Sequence, residues 1–281
     1  MKEFRFTKMH GAGNDFVMIN DAAGAFPVHD HMRVAALATR RLGVGSEGVI
    51  VVQRSDEADF AISFFNPDGT VADLCGNGTR CAAAFAHDEG IVSKTSMTIA
   101  TGAGLVDAEV LGGGLVRVWM PEPRARRYGV SLQVRGREVR GDLITAGVPH
   151  FVVESRSPAS VDVAGLGREI RLAPEFAPEG ANVDFAQFGK PDRVFVRTYE
   201  RGVEAESGAC GTGSVAAAVV AVETRGLSFP VTVRTGSGYK MTVDGDWRGG
   251  CATGITLTGP VKTVYRGSID IDTLEIGAEM A

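Results

Sequence analysis

The feature that most constrains this chain is a long internal repeat. "DLCGNGTRCAAAFA" begins at Asp73 and "GACGTGSVAAAVVA" at Gly208, each placing a cysteine before Gly-x-Gly and an alanine-rich run. The two cysteines, Cys75 and Cys210, stand 135 positions apart in a chain of 281 residues. Two further pairs keep that spacing. Gly11 of "HGAGNDFVMI" and Gly147 of "TAGVPHFVVE" are 136 apart, and "TGAG" at Thr101 and "TGSG" at Thr235 are 134 apart. Each TG-x-G leads into alternating text that reads as strands, "LVDAEV" and "GLVRVWM" in one case, "YKMTVDGD" and "ATGITLTGP" in the other. Three anchors in one order at one offset describe a duplication. The period is far too long for a solenoid and implies two similar lobes. Within each lobe the pattern is short strands and hairpins with one prominent helix, without the strand–helix alternation of a parallel doubly wound sheet. Two prolines and several charges in "MPEPRARRYG" (Met120–Gly129) mark the linker.

The run after each cysteine carries the chemistry. "NGTRCAAAFAHDEG" from Asn77 is bounded by Gly90, and "TGSVAAAVVAVETRG" from Thr212 by Gly226. Both are small and apolar around most of a helical circumference, the pattern of a helix buried on several sides. Asn77 and Thr212 are the candidate N-caps, Gly90 and Gly226 the C-terminal stops. A helix start offers unpaired N–H groups and a partial positive charge, and Gly76, Gly78, Gly211 and Gly213 let a ligand approach the backbone. A carboxylate can dock there, and the same field favours the thiolate form of a nearby cysteine.

Composition removes other classes. With 29 Lys and Arg against 34 Asp and Glu, net charge −5, the chain lacks the basic character of a nucleic-acid binder. Its one arginine-rich stretch, Pro123–Asp142, has no aromatic stacking pattern and reads as a solvated hairpin rather than an anion site. No segment reaches the apolar length of a membrane span, and "MKEFRFTKMH" has no signal-peptide core, so the expected location is the cytoplasm. Thiols stay reduced there, so the four cysteines are no disulfide framework, and they lack the paired Cys-x-x-Cys of a zinc site. Cys81, inside the first helix, and Cys251, in the hairpin "RGGCATG", have no repeat partner and read as structural.

Two lobes that each present an activated thiol suit one reaction above others. Removing a proton from one face of a carbon and returning one to the other needs two opposed acid–base groups. That is cofactor-free racemisation or epimerisation, with the two cysteines facing each other across the substrate.

The motifs "KMHGAGNDF", "GVGSEGVIVV", "FNPDGTVADLCGNGTRC", "GVPHFVV", "EGANVDF", "YERGVEAESGACGTG" and "LTGPVKTVYRG" closely resemble the diaminopimelate epimerase family, through nearly the whole chain. The resemblance implies an α/β (α+β) fold of two pseudo-symmetric lobes, each a largely antiparallel sheet wrapped around a central helix, with the active site in the cleft between them. The C-terminal strand returns to the first lobe, so the expected lobes are 1–122 completed by 266–281, and 123–265. The implied activity is interconversion of LL- and meso-2,6-diaminopimelate, in lysine and peptidoglycan precursor biosynthesis, by a homodimer that uses no cofactor and no metal. Cys75 and Cys210 would form the acid–base pair. The N–H groups of Gly76, Asn77, Gly211 and Thr212 would hold the reacting carboxylate, with Asn14 lining the site. Asn66, Asn182 and Arg201 would hold the distal end of the substrate and Glu200 its ammonium. His150 and Glu200 would tune the thiols, and Tyr265 would fall in the dimer interface.

The chain departs from the family pattern twice. Val148 precedes Pro149-His150 where many members have asparagine, and Gly48 stands where some carry glutamine. The competing readings are a related racemase acting on another amino acid such as histidine or proline, and a non-catalytic two-lobed amino-acid-binding protein. A cysteine hydrolase is weaker, because a second cysteine does not replace an oriented base.

Overall fold

The structure is a computed structural model that describes residues 3–73 and 75–276. The chain divides into two compact units, Met1–Val118 with Gly259–Ala281, and Trp119–Thr258. Residues 277–281 of the segment expected to complete the first lobe lie outside the described residues.

In chain order the elements of the first unit are β1 (Glu3–Gly11), β2 (Asn14–Asn20), α1 (His31–Ala38), β3 (Val49–Gln53), β4 (Phe60–Phe65), β5 (Val71–Ala72), α2 (Gly76–Asp88), β6 (Ser96–Thr101), β7 (Gly104–Gly112) and β8 (Leu115–Trp119). The second unit holds β9 (Arg124–Val134), β10 (Arg137–Ala146), β11 (Val148–Glu154), α3 (Val163–Arg171), β12 (Asn182–Gly189), β13 (Arg193–Glu200), β14 (Ala205–Ser207), α4 (Gly211–Arg225), β15 (Val231–Arg234), β16 (Lys240–Arg248) and the start of β17 (Cys251–Asp270).

β1 pairs antiparallel with β2, β2 parallel with β3, β3 antiparallel with β4 and β4 parallel with β6; β6, β7 and β8 follow antiparallel. β17 then pairs with β8, and its far half runs antiparallel to β1 from Gly11↔Val261 to Glu3↔Asp270. Eight strands so close into a barrel, which leaves that ring without an exposed edge. In the second unit the same order of pairings recurs. β10–β11 and β12–β13 are antiparallel, β11–β12 and β13–β15 are parallel, and β15, β16 and the near half of β17 follow antiparallel. The sequence repeat is therefore a repeat of topology, and each sheet is largely antiparallel with two parallel steps.

Each sheet packs on its own helix. α2 lies against β1, β2, β3 and β7, and α4 against β10 to β13, β15 and β16. Their alanine-rich composition follows from this: all of α4 from Gly213 to Val222 is buried, and no side chain there exceeds valine in size, so strands approach from several sides. α4 stops at Gly226, in the left-handed region at φ 69°, and α2 is followed by Gly90 at φ 69°, the two expected stops.

The linker is shorter than expected. Only Met120–Pro123 lies outside a strand, and Arg124–Gly129 already belongs to β9. The arginine-rich stretch forms the β9–β10 hairpin, with Arg135 and Gly136 at positive φ in its tip. Among the described residues, no helix is long and apolar enough to cross a membrane.

Candidate active site

In the first unit, Cys75 rather than Asn77 caps α2. Its backbone is extended (φ −134°, ψ 112°), its Sγ accepts the Gly78 N–H at 3.5 Å, and its carbonyl accepts the Thr79 N–H at 2.8 Å. The sulfur stands where an Asn, Asp, Ser or Thr oxygen usually caps, so it shares the helix-terminal field directly. Asn77 is the second helical residue and is occupied otherwise. Its Nδ2 donates to Asn14 Oδ1 at 3.2 Å and its Oδ1 accepts from Arg80 Nη2 at 2.6 Å. Asn14 opens β2, with Oδ1 3.8 Å from Cys75 Sγ, and its own Nδ2 donates to Glu47. A Cβ on Gly11 would lie 2.8 Å from the Asn77 carbonyl oxygen, so β1 runs against the helix start.

The second unit repeats the device. Cys210, not Thr212, caps α4 (φ −93°, ψ 116°), with Sγ accepting the Gly213 N–H at 3.3 Å and touching Thr212 Oγ1 at 3.4 Å. The Ser214 N–H closes on the Cys210 carbonyl at 3.0 Å. The expectation of an easily formed thiolate fails here. Burial pushes the Cys210 thiol well above its ordinary value, Glu200 and Asp184 add to this, and the Thr212 hydroxyl and Gly213 N–H offset only part. Glu200, the last residue of β13, is itself raised by burial, with Ser207, Cys210 and His150 opposing and Asp184 adding.

Behind these groups lies a buried polar chain. His150 Nδ1 meets Asp184 Oδ2 at 2.7 Å, both side chains being fully buried. Asp184 Oδ1 accepts from Thr198 Oγ1 at 2.7 Å. Asn182 bridges the next step, its Oδ1 accepting the Arg201 N–H at 2.7 Å and its Nδ2 facing His150 Nε2 at 3.4 Å. The backbone N–H can only donate, which orients the Asn182 amide with its Nδ2 toward the imidazole.

The first unit thus gathers Cys75, Gly76, Asn77 and Asn14, and the second gathers Cys210, Gly211, Thr212, Glu200, His150, Asn182 and Arg201. Asn66 is engaged in its own turn, its N–H and Nδ2 donating to Thr70 O and Oγ1 at 2.8 and 3.0 Å. Arg201 Nη1 reaches the carbonyl and Oε2 of Glu179, both at 3.4 Å. Tyr265 lies on β17 opposite Lys8, 45 % exposed, its ring edge-on to Phe6. Gly48 has a packing reason: a Cβ there would fall 2.7 Å from Phe64 and 3.2 Å from Phe16. Among the described residues, no group of three or more His, Cys, Asp or Glu is arranged to hold a metal ion.

Sequence reasoning missed Asp184, Arg80 and Glu47. Asp184 had a signal. Asn182 and Asp184 alternate with Val183 and Phe185 in the buried first five residues of β12, so two polar groups share one inward face.

The sequence profile described as diaminopimelate epimerase matches residues 6–125 and 143–264. The chain is 41 % identical to a diaminopimelate epimerase of Aquifex aeolicus, over 96 % of this chain and 99 % of that one. It is 38 % identical to one of Chlorobaculum tepidum, over 94 % and 100 %. A probable proline racemase structure from Agrobacterium radiobacter shares the fold at TM-score 0.71 and 20 % identity, covering 97 % of this chain and 94 % of that one. Profile and relatives span both units and both cysteine caps, and the chain belongs to the diaminopimelate epimerase family.

Proposed function

We propose that this protein interconverts LL- and meso-2,6-diaminopimelate without a cofactor, Cys75 and Cys210 acting as the two acid–base groups of a 1,1-proton transfer. One observation carries the reading. Each unit ends a hairpin in a cysteine that caps a buried helix, with Sγ 3.5 and 3.3 Å from a first-turn N–H.

An amino-acid α-proton is a very weak acid, and its removal sends charge onto the carboxylate. Fixed N–H dipoles at a helix start, those of Gly76, Asn77, Gly211 and Thr212, favour that charge without reorganising. One thiolate takes the proton, and inversion requires a second group, a thiol, to return one to the other face. Glu200 is assigned to the substrate ammonium. Arg201 is assigned to the distal carboxylate, Asn66 beside it in role, and Asn182 holds the Arg201 backbone. The 3.4 Å contacts of Arg201 with Glu179 are long for a charge-assisted bond, which supports exchange of that partner for a ligand carboxylate. Lysine and histidine lack a distal carboxylate and leave Arg201 unmatched, which disfavours the broader racemase reading.

The test is incubation with LL-diaminopimelate in deuterated water. Meso product should form with deuterium at the inverted carbon, and Cys75→Ala and Cys210→Ala should each cost at least about a hundredfold in rate, the usual worth of a general acid–base group. A tenth of wild-type turnover in either variant, or comparable turnover of histidine, overturns the assignment. We also assign the protein to the cytoplasm and to a homodimer in which Tyr265 contacts the partner. Tyr265→Asp should then move the sedimentation equilibrium to monomer.

A further inference from the structure

The two half-sites repeat each other in backbone and cap, yet the buried residues around the helix starts differ in charge. Gly78 and Gly213 are the third residues of α2 and α4, and each donates its N–H to the capping sulfur. What lies beneath them is different. A Cβ on Gly78 would strike Ile50 Cδ1 at 2.8 Å, whereas one on Gly213 would strike Asp184 Oδ1 at 2.5 Å. Ile50 and Asp184 are repeat equivalents, 134 positions apart, and both are fully buried. The reverse exchange occurs within the helices. Arg80 sits in the first turns of α2, wholly buried, with Nη1 on the Gly76 carbonyl at 3.2 Å and Nη2 on Asn77 Oδ1 at 2.6 Å. Its equivalent 135 positions on is Val215, also wholly buried. The returning strand covers the guanidinium, since a Cβ on Gly259 would lie 3.0 Å from Arg80 Nε.

We propose that Arg80 and Asp184 are positioning residues that make the duplicated half-sites unequal, the guanidinium holding Cys75 as the resting thiolate and the carboxylate holding Cys210 as the resting thiol. This rests on the assignment of both cysteines as acid–base groups and adds what sets their unequal charge. A guanidinium stays protonated in proteins, so α2 offers Cys75 a full positive charge besides its terminal field. Its neighbours act the same way in return: burial draws Arg80 down, and Cys81 and Cys75 hold it up. Asn14 Oδ1 on β2 also lies 3.8 Å from Cys75 Sγ, and Asn14 is backed by Glu47.

At Cys210 the balance is opposite. The Asp184 carboxylate, bonded to His150 Nδ1 and to Thr198 Oγ1, lies beneath α4. The helix start already stabilises this anion, and Glu200 from β13 adds a second acidic group. A thiolate at Cys210 would be a further anion competing for the same field. The shift of the Cys210 thiol agrees, with burial its largest cause and Glu200 and Asp184 next. A 1,1-proton transfer needs one base and one acid at rest. Two identical half-sites would not decide which was which, and two adjacent thiolates would repel.

The experiment is a pH titration by NMR of protein labelled with 13C at the cysteine Cβ, which needs no reagent access and no substrate. The four signals are assigned by single Cys→Ser variants. Cys75 should ionise at lower pH than Cys210. Asp184→Asn should lower the Cys210 midpoint by about one pH unit, a tenfold change in its thiolate-to-thiol ratio, and leave Cys75 unmoved. Arg80→Met should raise the Cys75 midpoint and leave Cys210 unmoved; Arg80→Lys, which keeps the charge, should hold the wild-type value. Equal or reversed midpoints in the wild type, or an unmoved Cys210 midpoint in folded Asp184→Asn, overturn the proposal. Failure of the deuterium assay with an intact difference in midpoints would count against the reaction alone.

Discussion

At the scale of single residues, four cysteines occupy four surroundings, and burial separates them more than sequence does. Cys251 is exposed at the start of β17, Cys75 is half-buried on α2, Cys210 is buried on α4, and Cys81 is sealed inside α2. Burial pushes the Cys81 thiol to about 12, with Arg80 drawing it down and Cys75 adding to the rise, which takes it out of chemistry at neutral pH. Glu200 is a second residue whose surroundings are measurable. Its carboxyl is raised in the folded protein, chiefly by burial, so the native state binds its proton more tightly than the unfolded chain. Stability from this group is therefore present below the ordinary carboxyl value and lost as pH rises through the raised one. Replacing Glu200 by Gln should remove that slope. Thermal melts across this range should show wild type losing ground to Glu200→Gln as pH rises, then a constant gap; parallel curves would refute the shift.

At the scale of elements, the two buried helices depend on glycines of opposite kinds. Gly213 of α4 is needed for space, because an added Cβ meets Asp184 Oδ1 at 2.5 Å and Thr198 Oγ1 at 2.9 Å, atoms already bonded to each other. Gly226 is needed for its backbone at φ 69°, and nothing lies within 4 Å of its missing Cβ. Gly213→Ala should cost about 1–3 kcal/mol by overpacking and also lower turnover, because it displaces Asp184 beneath the Cys210 cap. Gly226→Ala should cost about 1–2 kcal/mol of left-handed strain and leave turnover per folded molecule unchanged. Urea melts with kcat on the same samples separate the two. The helices themselves were legible in the sequence because small residues around most of a helix circumference leave few other folds. Their caps were misread, because a cysteine sulfur is not among the usual capping atoms and the adjacent Asn77 and Thr212 are.

At the scale of the molecule, β17 is the strand on which the chain's division turns. Cys251–Thr258 pairs with β16 in the second unit, and Gly259 onward belongs to the first, where it pairs with β1 to close the barrel. Backbone bonds reinforce that seat, from the Val261 N–H to Gly114 at 2.8 Å and from the Ala12 N–H to Pro260 at 3.1 Å. A chain ending at Thr258 loses the whole partner of β1 and leaves that edge unpaired. Hydrogen exchange on that truncated chain should find β1 losing protection while β12 and β13 remain protected. Full protection of β1 would mean the barrel does not need the returning strand.

The sequence by itself determined the duplication, the two cysteine-led helices, the stops at Gly90 and Gly226 and the family, because each is written in a short run of neighbouring residues. A repeated Gly-x-Gly, an alanine run and a left-handed glycine act through the local backbone, and no distant partner is needed to read them. Only the tertiary structure decided what surrounds each sulfur. Asp184 meets Gly213 and His150 through β12, and Gly259 closes over Arg80 from the far end of the chain. The strand text "NVDFAQFG" reveals a buried polar pair but not which helix start it underlies. That depends on two parallel strand steps in each unit, and parallel pairing joins residues too far apart in sequence for any local pattern to fix their register.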